Sequence, residues 1–243
     1  AAIQAAIDAV DAAGGGVLLF PLGTYIVSNS ISKTASTAHI HIVAYGATLK
    51  TASTTTSYSM FYPGSNWIIE GLSLYGYVDS GTDYSDVVPN WSFGFRIDAD
   101  QVNITFIRCN VDNVPYDGWL IADGNDIELI DCTGGQTSEC YRNTVAIAPS
   151  GAGASVEGVS IKGGKYAKAK NRPAIDLEPD GGGQLGMVYL NGGVHLTGRL
   201  DILNTSNLTV LDGVVFDGSD SYLYAYVFLF LDLVNVSFIN SAY

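Results

Sequence analysis

FGFRIDA (93–99) followed by VNITFIRCNV (102–111), DGWLIAD (117–123) followed by DIELIDCTG (126–134), and RNTVAIAP (142–149) followed by VEGVSIKGG (156–164) are three successive copies of one unit. Each unit pairs two short runs rich in Val, Ile, Phe and Thr and closes on Gly, Asn or Asp, which turns require. PAIDLEPD (173–180) opens a fourth unit, and GMVYLNGG, LDILNTS, LTVLDGVVF and VFLFLDLVNVSF carry the pattern onward. Equivalent positions Phe95, Trp119, Val145 and Ile175 are 24, 26 and 30 residues apart. Units of this length, built of short strands and turns with no helix between them, bury their apolar side only by stacking on the next unit. The pattern predicts a parallel β-helix. A propeller blade needs longer units with hairpin signals, and a sandwich lacks this register of similar segments.

At the N-terminal end, AAIQAAIDAVDAA places Ile3, Ile7 and Val10 on one helical face with Gln4, Asp8 and Asp11 turned away, and Gly14-Gly15-Gly16 stops it. Such a helix covers the strand edges that the end of a stack exposes. We therefore expect an all-β, right-handed, single-stranded parallel β-helix with a short N-terminal capping α-helix, as one domain over residues 1–243. The chain opens on Ala1 and stops in mid-pattern, which reads as a piece of a longer protein.

Composition narrows the partners. Hydrophobic residues make up 47% of the 243 residues and charged ones 14%, so a large core is available. The longest apolar run, AYVFLFL (225–231), is far short of the about 20 residues a membrane-spanning helix needs. A net charge of −13 argues against nucleic acid and anionic membranes. Against that background Lys162, Lys165, Lys168, Lys170 and Arg172 crowd into eleven residues, either a solvated loop or a site for an acidic ligand. Cys109, Cys132 and Cys140 show no zinc spacing and are expected as free thiols, with Cys109 and Cys132 stacked in the core.

IQAAIDA, the Gly-rich stop, VLLFPLGTY and the later DG, RN and IDLEP segments resemble the pectate-lyase-like superfamily of β-helices over most of the chain. The superfamily includes polysaccharide lyases and hydrolases, mannuronan epimerases and phage tailspike depolymerases. The resemblance implies a polysaccharide partner, an extracellular or virion-surface location and, from the tailspikes, a homotrimer. The aspartates and His-Gly of polygalacturonases and the Trp-Ile-Asp-His of many pectate lyases are absent here.

Strand alternation locates a site. In Ile175-Asp176-Leu177-Glu178 the aliphatic side chains point inward, so Asp176 and Glu178 project outward, with Cα atoms roughly 6.5–7 Å apart. This spacing is compatible with both retaining and inverting glycosidase geometries. One unit earlier, inward Val145 and Ile147 place Arg142 and Thr144 outside. Earlier still, Phe95 and Ile97 turn in while Arg96 and Asp98 turn out, and Asp117 stands at a strand entrance. Asp176, Glu178, Arg142 and Asp117 are the expected catalytic group, with carboxyls as acid and base and Arg142 as charge stabiliser. The alternatives are a surface ion ladder for Asp176, Glu178, Arg142 and Arg172, and a turn role for Asp117. Arg96, Asp98, Asn143, Arg172, Lys170, Trp91 and Tyr84 are the expected substrate contacts, Asn143 alternatively being a rung in a hydrogen-bond ladder.

The segment 75–91 (YGYVDSGTDYSDVVPNW) breaks the repeat and reads as a long loop whose aromatic side chains could stack on sugar rings. Its Asp79, Asp83 and Asp86 could offer oxygen ligands to calcium, but the spacing is not that of an EF-hand, so no cofactor or metal is expected. His39, His41 and His195 lie outside the column and are expected to be structural. The function read from the residues is cleavage of an acidic polysaccharide, by a lyase or a glycoside hydrolase. The alternatives are a non-catalytic glycan-binding or structural β-helix of a phage tail or adhesin, and a uronan C5-epimerase. For the last, IDLEP resembles the Asp-Pro-His-Glu segment of the epimerases, with Glu178 where they have His.

Overall fold

The computed structural model describes residues 2–52, 58–77, 92–137, 139–170, 172–203, 208–226 and 231–240. Helix α1 (Ala2–Ala12) leads into coils whose strands pair in parallel throughout, in one sheet of sixteen and one of nine strands among the described residues. The chain is a right-handed parallel β-helix, capped at its N-terminal end by α1. No helix of the described residues is long and apolar enough to cross a membrane.

The larger sheet covers two faces, because strands Phe95–Ile107 and Trp119–Ile130 run across the bend between them. The register slips on either side of Asp123, where this bend falls. Gln101, fully buried, ties the bend down: its Oε1 accepts the backbone N–H groups of Asp98 (3.1 Å) and Ala99 (2.8 Å). Beyond the bend, the second face closes on a corner whose residue in successive coils is Gly71, Arg108, Asp131, Gly163, Gly192, Gly213 and Asn235, with φ between 50° and 73°. Gly, Asn and Asp tolerate this left-handed conformation, which is why they punctuate the units.

Inside, like stacks on like. Phe95, Trp119, Val145, Ile175 and Leu200 occupy one inward column, and Ile97, Ile121, Ile147, Leu177 and Ile202 the next. The rings of Phe95 and Trp119 stack at 5.8 Å with a 23° interplanar angle. Full burial of each such side chain contributes about 1.5–3 kcal/mol. Cys109, Cys132 and Cys140 are free and buried, and the Cys109 thiol donates to the Ile69 carbonyl at 3.2 Å. Burial raises the Cys109 thiol well above its ordinary pKa, which keeps it unreactive. The N-terminal cap works through Ile7, which is fully buried. On its polar side, Lys33 bridges Asp8 (2.9 Å) and Asp11 (3.2 Å).

The histidines and basic run take surface positions. His41 pairs with Glu70 and His195 with Asp217, each at 3.1 Å. Within the basic run, Lys162 pairs with Glu128 (2.5 Å) and Lys168 with Asp220 (2.8 Å), so the run is divided among strands and partners.

Candidate functional site

The in-register outward column of the first face reads Arg96, Leu120, Ala146, Asp176, Asp201, Tyr224. Its middle is apolar. Leu120 and Ala146 pack with Phe93, flanked by Tyr116, Ala122 and Ala148. Over buried Ala146, the side chains of Phe93, Tyr116, Leu120, Ala122 and Ala148 floor a groove of about 1130 Å³, walled by the Ser150–Ala154 turn and ending on Arg96 and Asp98 at one side and Arg142, Arg172 and Glu178 at the other. An apolar floor with charged ends suits a sugar ring, which has one apolar face and a polar periphery.

Four of the residues singled out by sequence converge at one end. Asp117 is fully buried: its Oδ1 accepts the Asn143 backbone N–H at 3.1 Å, and its Oδ2 faces Arg142 Nη1 at 3.5 Å. The Arg142 guanidinium lies 4.7 Å from the Tyr116 ring centroid and reaches Glu178 with Nη2 at 3.6 Å. It thus bridges a buried carboxyl and a half-exposed one. Asp176 alternates outward as expected but is only 2% exposed, with Asp201 directly beside it in the next coil. Its Oδ1 is enclosed without a hydrogen-bond partner.

Burial first, and neighbouring charge second, account for the titration. Burial lifts Asp176 to a pKa of about 7, reinforced by the negative charges of Glu178 and Asp201 and opposed by Arg142. Burial also lifts Asp117 to about 7, against the pull of Arg142. Asp201 is raised by burial while Arg199 holds it back, through Nε–Oδ1 (2.5 Å) and Nη2–Oδ2 (2.6 Å) contacts. The result is a face with two carboxyls that carry protons close to neutrality.

The other expected residues divide. Arg96 and Asp98 face outward and pair at 2.6 Å, with Arg96 also 4.9 Å from the Phe93 ring. Arg172 is exposed on the groove wall. Lys170 sits in a neighbouring depression, 5.4 Å over the Tyr141 ring. Asn143 is fully buried, its side-chain atoms lack partners and it does not line the groove, which corrects its expected place among the substrate contacts. Thr144 is likewise buried instead of outward, its hydroxyl donating to the Ala167 carbonyl at 2.8 Å. The chain turns a corner between Arg142 and Val145, so strand alternation does not carry through it. Trp91, Tyr84, Asp79, Asp83 and Asp86 lie outside the described residues. Among the described residues no group of three or more His, Cys, Asp or Glu could hold a metal ion.

Sequence reasoning missed Asp201, Arg199 and Tyr116. Asp201 was readable: Leu200-Asp201-Ile202 repeats Ile175-Asp176-Leu177 one coil later.

Solved structures share this architecture. A Geobacillus virus E2 protein, ORF18, superposes with a TM-score of 0.59 at 15% identity, covering 99% of this chain and 57% of its own. The enzymatically active domain of bacteriophage CBA120 tailspike protein 2 gives 0.50 at 13% identity, over 96% of this chain and 39% of that one. The shared fold is the parallel β-helix. An iota-carrageenase complexed to iota-carrageenan fragments is a more distant likeness, with a TM-score of 0.48 at 14% identity over 87% of this chain and 52% of its own. The chain therefore spans little more than half the length of these proteins, or less. No protein-family model and no curated protein sequence matches it.

Proposed function

We propose that this β-helix binds a polysaccharide along its first face and cleaves it hydrolytically, with Asp176 and Glu178 as the carboxyl pair. The observation that carries the reading is the cluster itself: Asp176, with a pKa of about 7, adjoins half-exposed Glu178, while Arg142 bridges Glu178 and Asp117. Glycoside hydrolysis needs one carboxyl that holds a proton for the leaving oxygen and a second that acts as base or nucleophile. Asp176 fits the first role and Glu178 the second. Arg142 sets the orientation of Glu178 and counters negative charge on substrate or transition state. Asp117, with no exposed surface, is a positioning residue for Arg142. On this reading the protein works outside the cell or on a virion surface, where polysaccharides are met, and assembles as a homotrimer, a state that light scattering measures.

A phage tailspike enzymatically active domain with a related fold supports a polysaccharide as substrate, and the chemistry rests on the site, since fold alone does not fix it. One observation favours a second reading, a non-catalytic glycan-binding β-helix: Asp176 is 2% exposed, so a ligand meets mainly Glu178 and the arginines. The discriminating experiment incubates the protein with a panel of acidic and neutral polysaccharides and follows reducing ends and ultraviolet absorbance together. New reducing ends without an unsaturated product are expected. Absorbance rising in step would replace hydrolysis by elimination, and binding without any new ends would leave the non-catalytic reading.

A further inference from the structure

Beside the groove, on the C-terminal side of the carboxyl cluster, lies a shallow depression of about 250 Å³ lined by Lys168, Lys170, Arg172, Arg199, Asp220 and Tyr222. It shares Arg172 with the main groove. Four of the eleven Lys and Arg residues surround this one depression in a chain of net charge −13, and only Lys168 and Arg199 have carboxylate partners among the described residues. The formal balance of the four cations with Asp220 and Asp201 is therefore positive.

The cations are also held in place. Arg199 donates to Asp201 and, at 3.3 Å, to the Tyr222 hydroxyl, and its guanidinium lies 5.9 Å from the Tyr222 ring. Lys170 rests over the Tyr141 ring at 5.4 Å. Guanidinium and ammonium groups already ordered by ring and ion contacts lose less freedom on meeting an anion than free side chains would. Arg172, exposed and with no ion pair among the described residues, stands between the groove and this depression.

Resting on the reading of the first face as a glycan track, we infer that the Lys168–Lys170–Arg172–Arg199 depression is an anion subsite for a carboxylate or sulfate group on the sugar next to the cleavage point. The substrate class is thus a polyanionic glycan, selected locally by a protein whose overall charge repels it. Arg172 and Arg199 offer planar forks suited to two-point contact with either anion, and Lys170 offers a point charge.

Calorimetric titration with neutral dextran, dextran sulfate and polygalacturonate of matched length tests this, using wild type, Lys170→Gln/Arg172→Gln, and Lys165→Gln as an exposed-lysine control outside the depression. Reducing ends are followed in parallel. At least one anionic polymer is expected to bind about ten-fold or more tighter than dextran, roughly the contribution of one charge-assisted hydrogen bond. That preference should weaken as salt rises, survive Lys165→Gln and be lost in the double variant. Binding of dextran sulfate alone assigns sulfate, and of polygalacturonate alone, carboxylate. Equal affinity for charged and neutral polymers, or a preference that survives the double substitution, overturns the subsite, and cleavage seen in either case leaves the enzymatic reading standing. Anion binding that depends on Lys170 and Arg172 with no cleavage of any polymer keeps the subsite and removes the hydrolase.

Discussion

Asp176 points away from the core yet meets almost no solvent, and the consequence is thermodynamic. Its carboxyl is raised from an ordinary value to about 7 by burial and by Glu178 and Asp201. The unfolded chain releases this proton first, so between about pH 4 and about pH 7 the folded state binds more protons and stability falls as pH rises. A displacement of this size corresponds to about 4 kcal/mol of disfavoured charge. Asp176→Asn is therefore expected to raise the thermal midpoint at pH 8 by several degrees and to leave it nearly unchanged at pH 4; differential scanning fluorimetry across pH reads this directly. Asp117, raised to about 7 by burial, differs because Arg142 loses its buried partner when the carboxylate goes. Asp117→Asn should cost stability or activity even though Asp117 touches no ligand. The outward direction of Asp176 was legible from the alternation in IDLEP. Its burial was not, because alternation gives a direction and not what the neighbouring coils cover; Asp201, beside it in register, lies a whole coil further along the chain.

At the level of the coil, small residues govern how closely the backbone stacks. Gly94 and Gly118 hold equivalent places before the inward Phe95 and Trp119, and a Cβ on Gly118 would sit 2.6 Å from the Thr144 carbonyl oxygen. Gly118→Ala is expected to destabilise by about 1–3 kcal/mol and to displace Asp117 beside it. A chemical-denaturation midpoint measures the first effect and loss of the Asp117–Arg142 contact in a solved variant the second. The strand pairs and the glycine-rich corners were readable because apolar runs and turn residues recur along the chain. Thr144 was misplaced because alternation was counted through a corner, where the backbone no longer alternates; the same count puts Asn143 inward, where it lies, and only its expected substrate contact fails. A different limit hid the apolar strip under the groove: Leu120 and Ala146 look like ordinary strand residues until register places them between Arg96 and Asp176.

For the whole molecule, the stack needs an end and a working face. The end is α1, anchored by Ile7 against the first coil. Ile7→Ala should cost about 2–5 kcal/mol and expose a strand edge, visible as a lowered unfolding midpoint and as aggregation on mild heating. The working face gathers Arg96, Arg142, Lys168, Lys170, Arg172 and Arg199, six of the eleven basic residues, around the groove and its neighbouring depression. Sequence showed the basic run but not that its members separate, Lys162 pairing elsewhere while Lys170 and Arg172 join an arginine from the next coil.

In the proposed mechanism a proton held on Asp176 drives glycan cleavage. This is tested most directly by the pH dependence of the cleavage rate in wild type, Asp176→Asn and Asp201→Asn between about pH 5 and about pH 9. Wild-type activity should fall as pH rises past about 7. Asp176→Asn should lose about 100-fold or more of the rate. Asp201→Asn, which removes one of the charges that hold the Asp176 proton in place, should move the fall to lower pH. Asp176→Asn cleaving at the wild-type rate with the wild-type profile would contradict this mechanism.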